Sequence, residues 1–216
     1  MKETFILRAL AGSHAHGLET EKSDRDYHGV FSFSTEDVLK LDGVTDSIVR
    51  HDPDEAYHEL RRFLHLALKC NPTILELLYT EEYEEKMEEW GDGLIDLRSS
   101  FLSEPMVGSA YLGYAGHQMK RMKDRTIFKS AKAKKLTRHA FRLLEQGHIL
   151  YTTGEMSTKV EDRDFYLERL PEWSIDQVIE GYERKLLAFQ LSSSVLPDLP
   201  DREAVEHYLF EYRWSN

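Results

Sequence analysis

From Phe5 to Ala11 every position but one is apolar, and from Asp26 to Ser34 (DYHGVFSFS) apolar and polar residues alternate. The first pattern predicts a buried strand over 4–11, the second a strand with two unlike faces over 26–34. Residues 44–51 (VTDSIVRH) predict a third strand. From Leu60 the period lengthens: Leu60, Phe63, Leu64, Leu66, Ala67 and Leu68 mark an amphipathic helix that stops ahead of Asn71-Pro72. Ile74, Leu75, Leu77 and Leu78 carry on in a second helix. Further apolar stripes fall near 93–102, 105–123 and 132–150. Another, from Ile175 to Phe189, follows Pro171, and a last one holds Ala204, Val205, Tyr208 and Leu209. The pattern predicts an α+β fold, with a small mixed sheet in a core of residues 1–80 and a helical region, 81–216, packed on it.

The first strand runs into Gly12-Ser13, and after ten intervening residues comes Asp24-Arg25-Asp26. Glycine and a small hydroxyl residue at a strand's end let backbone N–H groups and the Ser13 hydroxyl close on a phosphate. Asp24 and Asp26, two apart in an extended segment, point to one face. Paired carboxylates suit a hard cation such as magnesium, which leaves coordination positions for substrate phosphates. A phosphate cradle beside an acid pair points to phosphoryl or nucleotidyl transfer.

The order Gly12-Ser13, then Asp24-x-Asp26 in a strand, resembles the signature of the DNA polymerase beta-type nucleotidyltransferase superfamily. Ala15, Gly17, Ser23, Gly29 and Val30 narrow the likeness to the branch of phage and bacterial nucleotidyltransferases that includes the RNA-repair-associated polymerase-beta family. The blocks Glu59-Leu60-Arg61-Arg62-Phe63 and Asn71-Pro72-Thr73-Ile74-Leu75-Glu76-Leu77-Leu78 extend it. The resemblance implies a sheet of the polymerase-beta type and metal-dependent transfer of a nucleoside monophosphate from a nucleoside triphosphate. Mg2+, or Mn2+ in its place, would be held by Asp24, Asp26 and a third carboxylate on a neighbouring strand. Asp46, Asp52, Asp54 and Glu55 are the candidates for that third ligand, and Asp54 has the family's spacing to Glu59. Gly12, Ser13 and His14 would contact the nucleotide, with His16 as filler of the same loop. Arg61 opens a helix after the third-carboxylate strand and is a candidate phosphate partner, as is Arg62 beside it.

Composition adds limits. The net charge of −11 argues against a protein that coats nucleic acid without specificity. Charge is uneven, however. Residues 81–89 (EEYEEKMEE) predict a solvated helix face. Residues 120–142 gather Lys120, Arg121, Lys123, Arg125, Lys129, Lys132, Lys134, Lys135, Arg138 and Arg142. Of these, Lys135, Arg138 and Arg142 recur at i, i+3 and i+7 and share a helix face, which suits a triphosphate or an RNA backbone. Cys70 is the only cysteine, so no intrachain disulfide forms. With no apolar run long enough to span a bilayer, a cytoplasmic protein that engages no membrane is expected. The acceptor stays open among an RNA end, a small molecule and a protein. Two other readings stay open too: a silent nucleotide sensor, and an antitoxin-like enzyme that nucleotidylates a protein partner.

Overall fold

The computed structural model describes residues 2–122 and 130–216. Strand β1 (Thr4–Ala11) pairs antiparallel with β2 (Asp26–Ser32), and β2 pairs parallel with β4 (Glu55–Glu59). β3 (Ser47–Arg50) closes one edge against β4, and the two-residue β5 (Glu85–Lys86) closes the other against β1. Among the described residues this makes one mixed five-stranded sheet of order β3-β4-β2-β1-β5. The short helix α1 (Gly12–Ala15) leaves β1, and α2 (Thr35–Val38), capped by the Ser34 hydroxyl, follows β2. That cap ends the second strand at Ser32, short of the expected Ser34.

One face of the sheet carries Tyr27, Phe31, Phe33 and Tyr57, packed with Phe5, Leu10 and Ile48. The other receives helices. Glu59 caps α3 (Leu60–Ala67) through the Arg61 N–H, and Asn71 caps α4 (Pro72–Tyr79) with Pro72 in its first turn. Helix α4 buries Ile74, Leu75, Leu77 and Leu78 of its stripe, whereas α3 buries Leu60, Phe63, Leu64 and Ala67 and leaves Leu66 half-buried. The acidic run behaves otherwise. Glu84 and Glu85 meet Arg8 at the sheet edge, and α5 (Glu88–Asp96) begins only at Glu88. A helix across 81–89 would have left the β1 edge unpaired, so strand pairing prevails there.

Two compact units result. The first is residues 1–102 with 199–216, the second 103–198. Residues 81–102 and 199–216, grouped with the helical region in the sequence reading, belong to the unit of the sheet. Helix α9 (Arg202–Ser215) buries Val205, Tyr208 and Tyr212 there. Its Tyr208 hydroxyl donates to the Trp90 carbonyl at 2.7 Å. The second unit holds α6 (Glu104–Met122), α7 (Ala131–Thr153) and α8 (Ile175–Leu191). No helix among the described residues is long and apolar enough to cross a membrane.

Candidate active site

The candidate site lies where β1 ends and β2 and β4 begin. Gly12 takes a left-handed φ of +59°, and a Cβ there would sit 2.2 Å from Oδ2 of Asp26. Asp26 opens β2 and is the register partner of Ala11. Asp54 stands one residue ahead of β4, and its carbonyl accepts the Tyr27 N–H at 2.9 Å. Because Tyr27 pairs with Glu55 in the parallel register, Asp26 and Asp54 fall side by side. Both line a cleft of about 320 Å³ together with Gly12, His28, Val49 and Ala56.

The four candidates for a third carboxylate thus separate. The Asp54 side chain is exposed, with an oxygen 3.1 Å from His51 Nδ1. Glu55 is held by Arg50 at 3.1 Å and Arg8 at 3.4 Å. Burial tends to raise its pKa, but the Tyr57 hydrogen bond and the two arginines bring it below the ordinary carboxylate value. Asp46 lies at the far end of the sheet, where its carbonyl accepts the Glu59 N–H. Asp52 is exposed in the turn before Pro53 and does not line the cleft. Asp24 is exposed two residues ahead of β2 and lies outside the cleft lining.

The remaining motif residues have local roles. The Ser23 hydroxyl accepts the Thr20 N–H at 2.8 Å and closes the turn before Asp24. A side chain at Gly29 would meet the Leu7 carbonyl at 2.6 Å, so glycine keeps β1 and β2 close. Ser13 accepts the Leu18 N–H on its carbonyl at 2.9 Å. His14 has its Nε2 buried with no hydrogen-bond partner among the described residues. Arg61 and Arg62 are exposed at the start of α3.

Of two histidines near the acids, one escaped the sequence reading and the other was read only as loop filler. His28 shares the Asp26 face, and burial lowers its pKa, with Glu76 and Asp26 opposing. His16, expected as loop filler, is buried with Nε2 3.6 Å from Glu76 Oε2. The alternation of residues 26–30 puts His28 two positions from Asp26, a signal available in the sequence. The His16–Glu76 approach joins α1 to α4 and had no such signal.

The basic stretch divides by burial. Lys123, Arg125 and Lys129 lie outside the described residues. On α7, in the second unit, Lys135 is exposed, while Arg138 is half-buried and its pKa is lowered by burial. Arg142 is 3% exposed, and its Nη1 donates to Gln146 Oε1 at 2.5 Å. Gln146 in turn donates to the carbonyls of Ser157 and Thr158. The expected basic face is therefore solvated at its start and buried at its end, because α7 turns Arg142 into the loop at 157–158.

Among the described residues no three His, Cys, Asp or Glu side chains cluster closely enough to hold a metal alone. Magnesium keeps several waters and takes one or two carboxylates plus substrate phosphates, so it needs no such cage. The space beside Asp26 Oδ2 that a Gly12 Cβ would fill suits a group arriving with its own ligands. Asp26 beside this space fits magnesium brought with substrate phosphates.

A search of curated proteins finds no match. The model of a family described as an RNA repair pathway DNA polymerase beta family matches residues 2–165. That stretch covers the sheet, its Gly12 turn, Asp26 and Asp54, and runs on through α6 and α7. The chain belongs to this RNA repair pathway DNA polymerase beta family.

Proposed function

We propose that the protein transfers a nucleoside monophosphate from a nucleoside triphosphate to an acceptor hydroxyl, and that the acceptor is an RNA end. The observation that supports this most is the junction of Gly12, Asp26 and Asp54 in one cleft. Family membership favours the reaction class, and the family's description favours RNA over a small molecule or a protein. Backbone amides after Gly12 and the Ser13 hydroxyl would bind the outer phosphates, with His14 and Arg61 as further nucleotide contacts. Asp24 and Asp26 would hold the cation, Asp24 closing from its exposed position as the triphosphate arrives. Magnesium, or manganese in its place, would neutralise the leaving pyrophosphate and acidify the acceptor hydroxyl when bound. Asp54, oriented by His51, would take the acceptor's proton. Lys135 and Arg138, in the second unit, would meet RNA backbone phosphates.

The test incubates the protein with each labelled triphosphate and magnesium, with and without RNA ends. Wild type is expected to label RNA. Asp26→Asn should lose transfer by more than about a hundredfold, and Asp54→Asn should lose turnover while still binding triphosphate. Label on no RNA would refute the RNA acceptor, and an Asp26→Asn variant within about tenfold of wild type would refute the site.

A further inference from the structure

Cross-strand register lays one face of the sheet out in rows. Asp26, Asp54 and His51 follow Gly12 across the end of the sheet. Behind them Ala9, His28, Ala56 and Val49 form a second row. In an in-line displacement the attacking hydroxyl approaches phosphorus opposite the leaving group. With pyrophosphate held at Gly12 and Ser13, the open side lies over Asp54, Ala56 and Val49.

The chemistry of that side is unlike the rest of the cleft. Val49 is 63% exposed although apolar, and Ala56 beside it is half-buried and small. Together they make an apolar floor in the cleft, with His28 next to Ala56 across the strands and His51 two residues after Val49. At the rim Arg50 has a side chain 53% exposed and is shared between two carboxylates, with Nη1 3.1 Å from Glu55 and Nη2 3.9 Å from Glu3. An apolar floor with imidazoles beside it suits an unstacked base.

On the nucleotidyl-transfer reading, we propose that Val49 and Ala56 floor an acceptor subsite that takes the terminal base of the RNA end beside His28 and His51. The small side chain of Ala56 keeps the floor open, and Val49 supplies its outer half. Base identity is then read weakly, because every base has an apolar face.

The test measures binding without turnover. Two dye-labelled RNAs differ only at the 3′ terminus, one ending in 2-aminopurine ribonucleotide and one in an abasic nucleotide. Each is titrated with magnesium and a non-hydrolysable triphosphate analogue. Wild type should bind the base-bearing end about tenfold tighter. Val49→Glu, at an exposed position, should shrink that ratio to within about twofold, and so should Ala56→Leu, while affinity for the triphosphate analogue alone stays within about twofold. Equal binding of both RNAs by wild type would overturn the subsite, as would a Val49→Glu variant that keeps the full ratio. Loss of triphosphate affinity in Val49→Glu would place the nucleotide's base here and overturn it too. Base-dependent binding without transfer to any acceptor would support the subsite and refute the reaction. Transfer to RNA without base-dependent binding would do the reverse.

Discussion

A methyl group at position 12 would sit 2.2 Å from Oδ2 of Asp26, on a backbone whose φ is +59°. Gly12→Ala therefore forces either the backbone out of the left-handed region or the carboxylate out of its place. The first costs about 1–3 kcal/mol of stability, and the second should cost transfer about as much as losing the Asp26 charge. Urea unfolding and label transfer on the same preparation check both, and an alanine variant normal in each would show that Gly12 does not shape the site. Much at this scale was legible beforehand. Gly12 and Asp26 stand out by residue type and spacing, Asp54 only through the family resemblance, and the structure brings the three to one cleft. Arg142 was misread because periodicity gives a shared direction but not what stands in that direction. Here it is Gln146, whose amide is tied to the carbonyls of Ser157 and Thr158.

The elements hold the site through a few cross-links that periodicity does not disclose. Arg213 of α9 donates to the Glu59 carboxylate at the junction of β4 and α3, to the Ser32 hydroxyl at 2.6 Å and to the Phe33 carbonyl at 3.0 Å. Both side chains are largely buried, so removing one partner strands the other. Arg213→Met is expected to lose about 3–5 kcal/mol, and adding Glu59→Gln should recover part of it. If the double variant unfolds at the same urea concentration as the single one, Glu59 is not the group left stranded. A second link is titratable. Burial, then the charges of Arg62 and His28, hold the His58 pKa below 6.5, and its Nδ1 lies 2.8 Å from the Ser47 hydroxyl. Protons are taken up on unfolding, so this contribution is complete above about pH 6.5 and shrinks as pH falls through the unfolded and then the folded pKa. Between about pH 7.5 and about pH 5.5, His58→Asn should lose less stability than wild type. Equal losses would place the titrating group elsewhere. Strands β1 and β2 and helices α3 and α4 were legible because their periods are clean. β4 and β5 were not, because one starts straight after a proline turn with a charged residue at each end and the other is two residues long.

Across the whole molecule, the division into units was the least legible feature. An apolar stripe on a helix announces burial but not against which partner, so α9 looks in sequence like α8 although it belongs with the sheet. The matched family segment ends at residue 165, while α9, beyond it, completes the first unit. Charge is organised on the same scale: the chain carries −11 overall, yet α7 begins with Lys132, Lys134 and Lys135. If the start of α7 meets RNA phosphates, reversing Lys132 and Lys135 to Glu should weaken RNA binding and lower its salt slope by about one per lost contact. Triphosphate affinity and thermal stability should hardly move, since both side chains are exposed. Arg142→Glu should behave in the opposite way, with large loss of stability, because a reversed charge would be buried beside Gln146. Titrating RNA at two salt concentrations, alongside thermal melts of both variants, separates these roles. An unchanged salt slope in the lysine variant would show that the start of α7 makes no contact with RNA phosphates.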